Sequence, residues 1–310
     1  MEENTAIFKQ SELTPSAEEA ESARASIKQT AEELLENGIR FPATFGFGSG
    51  FGGDTLFGDD GDNELIGGDG RNSIVGNGGN DTIFGSAGTV FIDGSAGDDS
   101  ILAAGGELII NGSNGNDVIS GGDNRDFLIG NDGNDSLIGG DNEDILIGNG
   151  GNDSLIGDGG DDILSGDVGN DLIIGGSGND IIAGVSLEDG DSEPGEIDTL
   201  VGGAGSDLFW LGDAENYDYD GGLQSGFLSS GTGDYGLIRD FSLSEDLIQL
   251  NGSADQYITI ATGFTGAGLP SGTAIFRNER GFSSFDLVAV VEGIDPSQLS
   301  LTDTSQFTYV

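Results

Sequence analysis

Residues 130–157 read GNDGNDSLIGGDNEDILIGNGGNDSLIG. Glycine, aspartate and a leucine or isoleucine return to the same places every nine residues. That period matches neither a helix face nor the alternation of a strand, so it describes a stacked structural repeat. Working outward, with Ser49–Phe57 as the first unit, the register holds through Ala183 and continues, degraded, to Trp210. The eighth position carries Leu56, Leu65, Ile74, Ile83, Ile92, Ile101, Ile110, Ile119, Leu128, Leu137, Leu146, Leu155, Leu164, Ile173, Ile182, Asp191, Leu200 and Phe209. The sixth is mostly aspartate, and glycine dominates positions one and four.

Each part of the unit has a physical reading. The triplet around the eighth position makes a short strand with one side chain inward and its neighbours outward. The six residues before it, rich in Gly, Asn and Asp, suit tight turns with positive φ. Two strands and two turns close one flattened coil, and no proline interrupts residues 49–183. The predicted fold is dominated by β structure: a parallel β-roll, a β-solenoid of 18 residues per coil, with an N-terminal helix and a C-terminal β-rich domain. At about 4.8 Å per coil, nine coils would make a rod of about 43 Å.

Composition narrows the chemistry. The 310 residues contain 56 Asp and Glu against 9 Lys and Arg, a formal charge of −47. No basic patch exists, so nucleic acid is excluded as a partner. Neither cysteine nor histidine occurs, which removes disulfides, the usual zinc sites, a histidine base and the Ser-His-Asp triad. Residues 1–10, MEENTAIFKQ, lack the features of a cleavable signal peptide, and no apolar run is long enough to span a bilayer. Stacked turns place sixth-position carboxylates above one another, a column of like charges that disfavours folding without a cation. Aspartate oxygens together with glycine-rich turn carbonyls make an oxygen cage suited to calcium. Alternatively each Asp merely caps its turn.

The consensus G-G-x-G-x-D-x-U-x, with U a large aliphatic residue, resembles the RTX (repeats-in-toxin, hemolysin-type) calcium-binding nonapeptide repeats, and more loosely the acidic secreted RTX proteins of cyanobacteria. The resemblance implies calcium held between turns along each edge of the roll. The matching carboxylates are Asp81, Asp99, Asp117, Asp126, Asp135, Asp144, Asp153, Asp162, Asp171, Asp180, Asp198 and Asp207. The matching turn glycines are Gly112, Gly115, Gly130, Gly133, Gly148, Gly151, Gly157, Gly160, Gly166, Gly169, Gly175 and Gly178. It also implies a C-terminal signal read by type I secretion machinery, and a protein that is secreted, extracellular or at the cell surface.

Odd and even repeats fall on opposite edges. The even column, from Asn63 and Asp81 to Asp189 and Asp207, is acidic almost throughout. The odd column, from Asp54 to Asp198, is interrupted by Val90 and Leu108. This predicts about ten calcium ions, most of them on the even edge, with the odd edge poor around Val90 and Leu108. On the odd face, positions seven and nine bring Phe127, Ile129, Ile145, Ile147 and Ile163 into an apolar strip. Another part of the chain is expected to cover it, or it is a surface for self-association.

The expected organisation is residues 1–48 as helix and cap, 49–183 as the roll, 184–210 as degenerate last coils with a looped-out insertion, and 211–310 as the C-terminal β domain with the export signal. The helix is read over residues 16–36, where Ser16 and Glu19 make a capping box and Gly38 follows as a stop. It either caps the solenoid, covers the odd face or binds a partner. With the acids committed to a lattice, and no room for a catalytic module, binding is expected rather than catalysis. An adhesin, surface-layer or carbohydrate-binding role for a solenoid face is an alternative, and an intracellular calcium buffer is another.

Overall fold

The computed structural model describes residues 45–47, 55–67, 71–86, 89–103, 106–184, 196–211, 235–250, 253–262, 269–278 and 285–309. The helix expected over residues 16–36 lies outside them. Among the described residues the only helical element is a short 3₁₀ turn, Ala254–Gln256.

The chain is a parallel β-solenoid. Through the repeats, successive strands are dealt alternately to a 13-stranded and an 11-stranded sheet, so neighbours in a sheet are next-but-one in sequence. Strand Ser136–Asp141 pairs in parallel with Ser154–Gly159, setting Leu137 beside Leu155; in the other sheet Asp126–Asp132 pairs with Ile145–Gly150, setting Leu128 beside Leu146. The stagger of 18 residues is the expected coil length. Every described eighth-position side chain of the repeats is buried, from Leu56 at 6% exposure to Phe209 at 0%. Strand residues alternate in and out, so one aliphatic row fills the space between the sheets.

The turns explain the glycine. Position two is left-handed and carries Asn77, Ser95, Ser113, Asn131, Asn149, Asp158 or Asp167, at φ of 70 to 80°. Asn and Asp tolerate that region better than most side chains. At position four, Gly115, Gly133, Gly151, Gly160, Gly169 and Gly178 have φ of 132 to 148°. A Cβ on Gly133 would lie 1.7 Å from the Gly115 carbonyl oxygen of the preceding coil. Only glycine meets both demands.

Three features depart from the count of nines. First, Thr89 rather than Val90 takes the sixth place: Asn72 pairs with Thr89 and Ser73 with Phe91, so the pairing skips Val90. A local turn draws Thr89 inward, with its N–H donating to the Ser86 carbonyl and its hydroxyl accepting the Ser86 N–H, both at 2.9 Å. Second, after residue 184 the coil-to-coil offset is 27 residues, with Leu172 beside Thr199 and Ile181 beside Leu208. One repeat's length is therefore left outside the ladder. Third, the described strands beyond Leu211 join the same two sheets. Tyr235–Ile238 and Leu247–Leu250 add in parallel, then Phe285–Glu292 and Phe307–Tyr309 do the same. An antiparallel pair, Tyr257–Ala261 with Gly272–Asn278, finishes one sheet. Ile238, Ile248, Val291 and Phe307 are buried in the cluster that contains the repeat leucines.

The odd-face strip is less open than its composition implies. Phe127, Ile129, Ile145, Ile147 and Ile163 are half-buried, while Phe57 and Ile109 are exposed. On the even face Ile138 and Ile156 are buried, and Val118 is exposed.

Candidate metal centre

The sixth-position carboxylates form two buried columns. On the even edge the N–H of Asp81, Asp99, Asp117, Asp135 and Asp153 each donates to Oδ1 of the next column residue, at 2.7 or 2.8 Å. On the odd edge the chain Asp126, Asp144, Asp162, Asp180 repeats the arrangement at 2.7 to 2.9 Å. One oxygen of each carboxylate is thus consumed by the stacking of coils. The sixth place sits where the turn enters the strand, and burial there is nearly complete.

The other oxygen has nothing to bond. Oδ2 of Asp81, Asp99, Asp117, Asp126, Asp135, Asp144, Asp153, Asp162, Asp171, Asp180 and Asp207 is buried without a hydrogen-bond partner. A buried charged oxygen without a partner is costly. Each lies over a position-one glycine. A Cβ on Gly112, Gly130, Gly148 or Gly166 would meet Oδ2 of Asp117, Asp135, Asp153 or Asp171 at 2.1 to 2.3 Å, and one on Gly157 or Gly175 would meet Asp162 or Asp180 at 2.3 Å. The same cradle at Gly148 holds the Gly166 carbonyl oxygen, 2.7 Å from that Cβ position. A carboxylate oxygen and a carbonyl oxygen facing a space reserved by glycine fit a hard cation. Among the described residues no three acidic side chains gather at one point. A cation here would have to draw on carboxylates a coil apart together with backbone carbonyls.

Electrostatics point the same way. Burial pushes the Asp144 and Asp171 carboxyls up to about 8, Asp117, Asp126 and Asp153 to about 7, and Asp99, Asp162, Asp180 and Asp207 to about 6. The accepted backbone N–H opposes the rise and neighbouring carboxylates add to it. These carboxylates therefore resist ionisation unless positive charge joins them.

A family model described as the RTX calcium-binding nonapeptide repeat matches residues 49–83, 75–107, 109–137, 120–155, 138–173, 156–185 and 195–217, together just over half of the chain. The chain belongs to this family. Among curated proteins none matches it. The RTX register accounts for the sixth-position columns and for the glycines at positions one and four, which the structure assigns to the cradle and to the close approach of coils.

The column assignments past residue 184 need correction. Asp171 donates its N–H to Asp198 at 2.9 Å and Asp180 to Asp207 at 3.0 Å. Asp198 therefore stands on the even edge and Asp207 on the odd, the reverse of the uninterrupted count, while Asp189 lies outside the described residues. The odd column runs on to Asp246, whose Oδ1 accepts the Asp207 N–H at 3.1 Å and whose Oδ2 accepts the Ser242 N–H at 2.7 Å.

A second ladder escaped the sequence reading. At position five of the even edge, Asn116, Asn134, Asn152 and Asn170 each donate backbone N–H and Nδ2 to Oδ1 of the residue one coil back, at 2.8 to 3.2 Å. The recurrent Asn-Asp pair was the signal available. On the odd edge the equivalent place first holds Arg125 and Glu143, which form an exposed pair at 3.7 Å, and then the same ladder at Asn179, whose N–H and Nδ2 donate to Asp161 Oδ1 at 2.7 and 3.0 Å.

Proposed function

We propose that this chain is a calcium-folded β-roll that stays unfolded where calcium is scarce, leaves the cell through type I secretion machinery and folds outside. The observation that supports this most directly is the array of buried Asp Oδ2 atoms without partners, each over a glycine cradle. Asp81, Asp99, Asp117, Asp135, Asp153, Asp171 and Asp198 would hold cations on the even edge, and Asp126, Asp144, Asp162, Asp180 and Asp207 on the odd. The carbonyls of Gly112, Gly130, Gly148, Gly157, Gly166 and Gly175 would complete them, for about ten ions in all.

Calcium supplies the positive charge that lets these carboxylates stay ionised when buried, so binding free energy is folding free energy. The chain's own residues do the rest: glycine keeps the cradle open, Oδ1 locks adjacent coils, and the aliphatic row excludes water. Residues 49–210 form the calcium-dependent part, and 211–310 carry the export signal. The product is a binding and scaffolding protein rather than a catalyst.

A second reading, adhesion or self-association through a broad face, has one observation in its favour. Among the described residues, positions seven and nine of the repeats carry charge only at Glu64 and Asp93. The acidic residues of these repeats are thus kept almost entirely off those two positions.

The test is far-UV circular dichroism during a calcium titration from excess chelator, repeated with magnesium, with bound metal counted by mass spectrometry. A steep gain of β signal with calcium alone, at about ten ions per chain, is expected. An unchanged β spectrum in chelator would overturn the reading.

A further inference from the structure

We infer that calcium clamps this roll in two unequal blocks, because consecutive cradles on the odd edge have been filled by the chain itself. The inference rests on the calcium reading above. Along the described odd edge, beyond Asp54, which lies outside the described residues, the sixth place holds Asn72, then Thr89, then Leu108, before its first described carboxylate at Asp126. The Thr89 side chain lies at the Gly67 cradle, its hydroxyl oxygen 2.8 Å from where a Cβ would be, and that oxygen accepts the Ser86 N–H. At Gly85 the neighbours are Ile92 Cδ1 and Ala103.

The third case is the most telling. Position one of the Leu108 repeat is Ala103, where every other described position one of the repeats is glycine. Ala103 is 1% exposed and Leu108 2%, both within the apolar core. The two substitutions belong together: the methyl group occupies the cradle, and the carboxylate that a cation would need is replaced by a hydrocarbon. This is a closed site rather than a weak one.

Across the same coils the even edge keeps Asp81, Asp99 and Asp117, each with its unpartnered Oδ2. The N-terminal coils therefore take cations on one edge only. From Asp126 onward both edges carry carboxylates, so each coil takes about twice as many. In a solenoid, stability is approximately a sum of local and nearest-neighbour terms, and the dependence of each block on calcium follows the ions it binds. The C-terminal block should respond to calcium about twice as steeply per coil as the N-terminal one. The roll then has a switch-like part and a graded part.

The experiment is hydrogen exchange followed by mass spectrometry on the full chain at a series of calcium concentrations. It compares peptides covering residues 89–111 with peptides covering residues 144–166. Protection in the second set should rise with about twice the logarithmic slope of the first. Equal slopes would overturn the inference and leave the calcium reading intact; protection indifferent to calcium in both sets would overturn the reading itself. As a second arm, the double substitution Ala103→Gly with Leu108→Asp rebuilds the cradle. One additional bound ion per chain, with a steeper slope in residues 89–111, is expected. A folded double variant with the wild-type ion count would count against the closed site.

Discussion

Substituting Asp153→Asn separates a cation ligand from a turn cap by the sign of its effect. Asp153 Oδ1 accepts the Asp135 N–H at 2.7 Å, and an amide oxygen can keep that bond. Oδ2 has no partner and shares the Gly148 cradle with the Gly166 carbonyl, to which an amide N–H₂ can donate. Without calcium, the substitution removes a carboxyl that burial pushes up to about 7. A rise of about three pH units sets a ceiling of roughly 4 kcal/mol, and water at the turn reduces it, so a stabilisation of about 2 kcal/mol is expected near neutral pH. With calcium, the same substitution removes one binding place. For a site of the extracellular class in about a hundredfold excess of calcium, that is a loss of about 2.7 kcal/mol. The assay is urea unfolding followed by circular dichroism, in calcium and in chelator, with an osmolyte in both to populate the fold. Stabilisation in chelator and destabilisation in calcium, with one fewer ion bound, is the expected pair. A variant that is neutral in calcium with the wild-type ion count would refute the assignment.

The pH dependence of the calcium-free protein should run opposite to ordinary acid denaturation. Column carboxyls with folded pKa values of about 6 to 8 bind more protons when folded than when unfolded. Stability is then greatest below the unfolded value near 4 and is lost as pH rises through the 6–8 window, so in chelator the β signal should be stronger at about pH 5 than at about pH 8.5. Gly133→Ala places a methyl group 1.7 Å from the Gly115 carbonyl oxygen at a φ of 139°. It should cost on the order of 3 kcal/mol or more, read as a raised calcium midpoint. Asn134→Ala removes the amide bonded to Asn116 and the oxygen that accepts the Asn152 N–H. A loss of about 1 kcal/mol in urea unfolding with no change in ion count would place the asparagine ladder outside the metal sites.

The core of the repeats was legible, because a stacked coil needs an aliphatic residue at one fixed place and Leu128, Leu137 and Leu146 have no alternative there. The Asp columns were legible for the same reason. What the count of nines could not contain was any event that preserves the count. Thr89 displaces Val90 through a local turn that leaves both residues in line. The 27-residue offset after residue 184 leaves the spacing of Asp198 and Asp207 intact while exchanging their edges. Asp246 stayed hidden because the coils beyond Leu211 keep the ladder but abandon the nine-residue spelling, relying on buried Ile248 and Phe307 instead. The asparagine ladder lies outside the charge logic that drew attention to its neighbour.

The exchange of edges after residue 184 has a consequence for how such a chain can change length. The interior reads the repeat modulo nine, whereas the edges read it modulo eighteen. Gain or loss of two units is silent to both. Gain or loss of one leaves the hydrocarbon row unbroken but inverts the parity of everything downstream, transposing the two carboxylate files. A single-unit deletion of residues 109–117 would remove Asp117, set the closed, methyl-filled place at Leu108 against Asp135 of the opposite file and bring Asp126 over Asp99. Lineages of such rolls should therefore grow in pairs of units, or leave an odd unit outside the ladder, as the 27-residue offset after residue 184 does.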